Sequence, residues 1–311
     1  MLEWSNRRAW RARVALCYRG FESHPLRHSQ DMSGDLKGTK AKIGLALGSG
    51  AARGIAHIGV IKALREEGIP IDMIAGTSMG AIVGASYAID GEISLLEEIA
   101  ITSNLRKLTG LLDPKFTFFA SGILSGGRVE KWLKTIIGDR DFKDLSLPFA
   151  AVATDLTTGN EVVFREGSLV QAVRASISIP AIFSPVYYMG SYLVDGGTTN
   201  PVPANVVKSM GSTFTIAVNV LNDPRQCKYI GIRGDKKSLK PPRLINTLIQ
   251  SFYIMEYEII RSSILKADVI IEPDVTQIEV YEFHRGQEAI EAGYKAAKAV
   301  IPEIKNMLNN L

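Results

Sequence analysis

Cysteine is almost missing from this chain: its 311 residues hold two, Cys17 and Cys227, far apart and without metal-ligand or redox spacing. A disulfide framework, a zinc ribbon and thioredoxin-like chemistry are excluded, and a reducing, cytoplasmic compartment fits. Histidine is scarce too, at four, so few side chains can serve as an imidazole base, and the sequence carries neither a metal-ligand cluster nor a cofactor fingerprint. Long apolar runs are also lacking. The longest uncharged stretch, Ala175 to Val194, is interrupted by Pro180 and Pro185, whereas a spanning helix needs about 20 consecutive, largely apolar residues. No apolar core of a secretory signal follows the arginines near the start.

The greater part of the chain has no charge excess. Of 36 basic and 32 acidic residues, the first 40 positions hold eight and four, which leaves 28 of each and places the whole net charge of +4 in that stretch. Nucleic-acid binding by the body has no electrostatic support. Residues 1–40 interleave Trp4, Trp10 and Tyr18 with Arg7, Arg8, Arg11, Arg13 and Arg19. They are read as a basic, mobile N-terminal extension, with Met32 as an alternative start, ahead of one domain over 41–311. The competing expectation is peripheral membrane association, with the arginines facing anionic lipid. A second basic stretch, Asp223 to Arg243, reads as an exposed loop.

What the sequence does have is 46% hydrophobic content arranged in short apolar runs that alternate with helix-period segments. That is the pattern of a three-layer α/β/α fold around a largely parallel sheet. Strands are predicted at 43–47, 71–75, 148–153, 160–164, 191–194, 213–220 and 268–272. Helices are predicted at 54–67, 79–89, 92–102, 126–137, 168–175, 243–265, 285–298 and 300–309.

Two glycine motifs stand at strand-to-helix junctions. Gly76-Thr77-Ser78-Met79-Gly80 has the form of a nucleophile elbow, in which small residues two positions either side of the serine let a strained turn pack closely. An N-cap serine on an ordinary tight turn would look similar. About 28 residues earlier, Gly48-Ser49-Gly50-Ala51-Ala52-Arg53-Gly54 exposes backbone N–H groups. It lacks the third glycine of a dinucleotide fingerprint, where Arg53 stands, and the Gly-Lys-Ser/Thr of a P-loop. The use left for it is an oxyanion hole, with the Gly50 and Ala51 N–H groups as the donors.

A serine nucleophile needs a base. His24 and His28 lie in the extension, and His57 on the first helix is read as structural. His284 would complete a Ser78/Asp195/His284 triad in the order of a soluble α/β-hydrolase-type carboxylesterase. Asp195, in Asp195-Gly196-Gly197 after the apolar run Tyr192-Leu193-Val194, is the other candidate, although Asp-Gly-Gly alone is a common turn.

Taken together, Gly48 to Gly54, Gly76 to Gly80, the block Ala175-Ser176-Ile177-Ser178-Ile179-Pro180 and Asp195 to Gly197 resemble the patatin-like phospholipase family, in particular its compact bacterial cytoplasmic members. The resemblance covers about residues 42–305. It implies a patatin-like fold and a serine acyl hydrolase of phospholipase A or lysophospholipase type, acting on lipid esters through a Ser78–Asp195 dyad and an acyl-enzyme, without a cofactor. Plant patatins carry three successive glycines where this chain has Ser49, Gly50 and Ala51, which bears on substrate fit. A non-catalytic lipid-binding regulatory protein with the same pocket is the alternative outside enzymology.

Overall fold

A computed structural model describes residues 41–102, 126–221 and 244–311. The expectations for the extension 1–40 and the basic loop 223–243 lie outside the described residues.

Eight strands form one sheet: β1 (Ile43–Leu47), β2 (Met73–Thr77), β3 (Phe149–Asp155), β4 (Glu161–Phe164), β5 (Val186–Tyr188), β6 (Ser191–Asp195), β7 (Phe214–Val218) and β8 (Val269–Ile271). Their order is β5-β6-β3-β2-β1-β7-β8, with β4 paired to β3. The run from β3 through β2, β1 and β7 to β8 is parallel, while β4 and β6 pair antiparallel with β3, as β5 does with β6. The predicted three-layer, largely parallel architecture is therefore present.

Side chains along each strand alternate between two cores. Leu45 and Leu47 of β1, Ile74 of β2, Ala151 and Ala153 of β3, and Ile216 and Val218 of β7 face one layer. Ala46, Ala75, Ala150, Val152 and Ala217 face the other. The first face carries the bulk, and each fully buried Leu or Ile there contributes about 1.5–3 kcal/mol. It packs under α1 (Ala56–Glu66), α2 (Met79–Asp90), α3 (Ser94–Thr102), α4 (Gly126–Ile137), α5 (Leu169–Ser176) and the C-terminal α8 (Gly286–Leu308). The alanine-rich face receives α6 (Ala204–Ser209) and α7 (Leu244–Ser263). Small residues let α6 come close: a Cβ on Gly44 of β1 would stand 2.0 Å from Val207 Cγ1.

Several boundaries differ from the sequence reading. β2 occupies 73–77 rather than 71–75, so it runs directly into Ser78. The first helix opens as a 3₁₀ turn, Ala51–Ile55, before α1. The two helices predicted at 285–298 and 300–309 are the single α8, which runs through Pro302. An interior proline costs about 3 kcal/mol, and here Ala297, Ile301 and Ile304, all buried in the core, hold the helix in place on both sides of it. α8 lies against α1 almost backbone to backbone, since a Cβ on Gly59 would stand 1.9 Å from the Ile290 carbonyl oxygen and one on Gly293 1.9 Å from that of Ala56. β5 and α6 were not predicted. At three and six residues they are too short to display a period.

Candidate active site

The register of β3 explains why Ser78 and Asp195 meet across 117 positions of sequence. β2 pairs with the first part of β3, ending at Thr77 opposite Val152. β6 pairs antiparallel with the second part, with Asp195 opposite Ala153. β4 pairs with Ala151 to Thr154 and so occupies the other edge, which leaves β2 and β6 to share one edge end to end. The strand that delivers the serine and the strand that delivers the aspartate therefore run into each other. Their junction is tight, because a Cβ on Gly196 would stand 2.3 Å from the Val152 carbonyl oxygen and 3.1 Å from Thr77 Cγ2.

Ser78 caps α2 with φ 55° and ψ −120°, a region that non-glycine residues enter at a cost of about 1–3 kcal/mol and that clusters at functional sites. Both flanking glycines are required by close approach. A Cβ on Gly76 would meet the Gly80 carbonyl oxygen at 2.3 Å, and one on Gly80 would meet those of Leu47 and Gly48 at 2.2 and 2.7 Å. The elbow thus rests directly on the Gly-rich loop. In that loop Ser49 N–H donates to the Pro201 carbonyl at 2.8 Å and Ala52 N–H to that of Val280 at 3.1 Å. The Gly50 and Ala51 N–H groups between them take no acceptor among the described residues. Ala51 also has positive φ, at 46°. Proline cannot adopt that angle, so replacing Ala51 by proline would distort the loop as well as remove its N–H.

The Ala-Ser-x-x-x-Pro block, singled out in the sequence without a chemical task, has one here. Ser176 Oγ accepts the Ser78 N–H at 2.9 Å and donates to the Val152 carbonyl at 2.6 Å. Two residues on, the Ser178 carbonyl accepts the Asp195 N–H at 3.0 Å. One short segment thereby fixes the backbone of both candidate residues.

Asp195 is buried at 1% exposure. Its Oδ1 accepts the Gly197 N–H at 2.8 Å, and its Oδ2 has no hydrogen-bond partner among the described residues. Burial pushes its carboxyl up to about 7, opposed by the Gly197 N–H and the nearby Ser78 hydroxyl. No imidazole is among these influences. His284 is exposed on the turn Phe283–Arg285, and no hydrogen bond joins it to Asp195.

His57 is fully buried on α1, with Nε2 2.8 Å from the Gly48 carbonyl oxygen. A carbonyl only accepts, so Nε2 carries the proton, and the ring pins the Gly-rich loop. Burial draws its pKa down to about 4 from 6.5. Between those values the unfolded chain binds the proton and the folded one does not, so this contribution is complete above pH 6.5 and is lost as the pH falls toward 4. Measured by urea unfolding, the stability advantage of the wild type over His57→Gln should shrink by about 2 kcal/mol between pH 7 and pH 5. An advantage independent of pH would refute the assignment.

Sequence reasoning missed Glu256 and Tyr253 on α7. Glu256 Oε1 accepts the Ser49 hydroxyl at 2.7 Å, and burial, then the charge of Asp195, hold its carboxyl well above the usual range. The Tyr253 phenol is pushed up by burial and by the same two carboxyls. Among the described residues no cluster of His, Cys, Asp and Glu suits a metal ion, and no helix is long and apolar enough to cross a membrane.

Comparison with known proteins bears on the family and the fold. The family model described as patatin-like phospholipase matches residues 45–208, a span holding Ser78, Ser176 and Asp195. An uncharacterized NTE family protein of Mycobacterium tuberculosis is 33% identical over 274 residues, covering 83% of this chain and 46% of its own length. The mouse patatin-like phospholipase domain-containing protein 6 is 29% identical over 280 residues, 83% of this chain and 20% of that protein. This chain thus spans about half the length of its mycobacterial relative. Among solved structures, VipD from Legionella pneumophila superposes with a TM-score of 0.56 over 85% of this chain and 67% of that one, at 15% identity, a likeness of fold.

Proposed function

This chain belongs to the patatin-like phospholipase family, and we propose that it is a serine acyl hydrolase cleaving lipid carboxylic esters with a Ser78–Asp195 dyad. The observation that carries the reading is the end-to-end meeting of β2 and β6 on one edge of β3, which brings a strained serine and a buried carboxyl with a free oxygen to one point. Ser78 Oγ attacks the acyl carbonyl carbon as its proton passes to Asp195 Oδ2. The carbonyl oxygen, now negative, is held by the Gly50 and Ala51 N–H groups. The intermediate collapses to an acyl-Ser78 ester, and the departing alkoxide takes the proton from Asp195. Water then gives a proton to Asp195 as its oxygen attacks the ester carbon, and when the Ser78 Oγ–acyl bond breaks Oγ takes that proton back from Asp195, which releases the fatty acid and restores Ser78.

A lipid substrate is favoured by what lies beside the nucleophile. Met79, the residue after Ser78, lines an apolar pocket with Ile55, Ile58, Ile82, Trp132 and Phe283. Such a wall suits an acyl chain.

A fluorophosphonate probe tests the reading. Intact-mass analysis should show one adduct per chain, absent in Ser78→Ala. A folded wild-type protein that forms no adduct would count against the hydrolase and favour the non-catalytic lipid-binding alternative.

A further inference from the structure

Glu256 takes no part in the chemistry above, yet it is built into the site. It is 1% exposed midway along α7. Oε1 accepts the Ser49 hydroxyl at 2.7 Å, and Oε2 has no partner among the described residues. The carboxyl also lies directly over the Asp-Gly-Gly turn, where a Cβ on Gly197 would stand 1.7 Å from Glu256 Oε1 and 3.1 Å from Asp195 Oδ1. One side chain from α7 therefore touches both the loop offering the oxyanion donors and the turn holding the base. We propose that Glu256 is a positioning residue which, as a neutral carboxylic acid, ties the Gly-rich loop to the Asp195 turn and so sets the oxyanion donors against Ser78.

The neutral form follows from the surroundings. Two ionised carboxyls held over one glycine in a buried site would repel strongly, with the Ser49 hydroxyl on Glu256 Oε1 and the Gly197 N–H on Asp195 Oδ1 as the hydrogen bonds that oppose this. The groups around the pair are Ser49 in the loop, Asp195 at the end of β6, Tyr253 one turn earlier on α7, and Arg53, whose guanidinium acts on Tyr253 and whose Nε donates to the Ile278 carbonyl. Burial raises both carboxyls, and the charge falls to Asp195, whose Oδ1 accepts the Gly197 N–H and which lies beside the Ser78 hydroxyl, while Glu256 accepts only the Ser49 hydroxyl. Oε1 accepts from Ser49, so the proton resides on Oε2. At alkaline pH, loss of that proton places a second charge beside Asp195 and opposes the oxyanion, so turnover should decline there. Gln has the same shape, keeps the acceptor for Ser49 and has no proton to lose.

The inference rests on the hydrolase reading, and its test is ester turnover across pH by wild type, Glu256→Gln, Glu256→Ala, Ser49→Ala and the double alanine variant, each also labelled with fluorophosphonate. Glu256→Gln should turn over within about threefold of wild type at pH 7.5 and lose the alkaline decline, as expected for a neutral acid. Glu256→Ala and Ser49→Ala should each lower kcat about ten- to thirtyfold with KM within about threefold, because misplaced donors act on the transition state. The double variant should be no slower than Glu256→Ala alone. A Gln variant as slow as the Ala variant overturns the neutral acid; wild-type turnover in Glu256→Ala or Ser49→Ala, or additive losses, overturns the tie. If Glu256→Ala fails to fold, Glu256→Gln and Ser49→Ala still decide. Wild-type labelling at Ser78 is independent of these outcomes, and its absence would count against the hydrolase itself.

Discussion

Asp195→Asn should lower kcat on an ester substrate by about 10² to 10⁴, the range that removal of a general base produces, while His284→Gln changes it by less than about tenfold. Asn keeps the shape and the Gly197 N–H acceptor but cannot take the Ser78 proton. Because burial places the Asp195 carboxyl at about 7, wild-type kcat/KM should fall about tenfold per pH unit below that value as the base becomes protonated. A second readout separates chemistry from damage to the fold. The folded-state pKa lies above the unfolded one, so between them the native state binds the extra proton and stability falls as pH rises through that window. Above pH 7 the buried charge is a standing cost. Asp195→Asn removes it, and the Tm at pH 8 should rise while activity collapses. A greater loss in His284→Gln than in Asp195→Asn would sink the dyad and install the triad; a lower Tm with lower activity in Asp195→Asn would point to structural injury instead.

The contrast between Asp195 and Glu256 shows what kind of information the sequence holds. Gly76 to Gly80 was legible because the elbow's tight packing excludes a Cβ at two positions, and that exclusion is written as glycine. The sheet was legible for a different reason: strands buried on both faces leave short, nearly uncharged apolar runs, as in β1, β2, β3 and β7. Asp195 became readable only in company with the other motifs. Glu256 carried no such mark. It stands in Met255-Glu256-Tyr257-Glu258, where Met255 is exposed and Glu256 is buried, the reverse of what polarity alone suggests. Its burial is set by where α7 lands on the Asp-Gly-Gly turn, a tertiary fact. Ser176 is intermediate, since its motif was visible but its task of holding the Ser78 N–H depends on the register of β3. β5, α6 and the continuity of α8 through Pro302 are decided by pairing and packing, not by local preference.

Gly80→Ala should separate the geometry of the elbow from its stability. The added methyl would stand 2.2 Å from the Leu47 carbonyl oxygen and 2.7 Å from that of Gly48. Both are backbone atoms held in β1 and the Gly-rich loop, so no side chain can swing away to make room. The elbow must withdraw from the loop, and a displacement on the order of 1 Å between nucleophile and oxyanion donors costs about 10²-fold in kcat. Overpacking of this kind also destabilises by about 1–3 kcal/mol, which alone would leave the folded fraction nearly complete. Gly59→Ala supplies the matched control: its methyl would stand 1.9 Å from the Ile290 carbonyl oxygen, where α1 crosses α8. It should cost similar stability, yet the crossing it opens lies between two helices and leaves the contact of Gly80 with Leu47 and Gly48 untouched. With Tm recorded for both, Gly80→Ala should lose kcat about 10²-fold while Gly59→Ala stays within about threefold of wild type. Equal losses in the two folded variants would mean that general loosening limits turnover. Wild-type kcat in a folded Gly80→Ala would mean that the approach of elbow to loop has no part in catalysis.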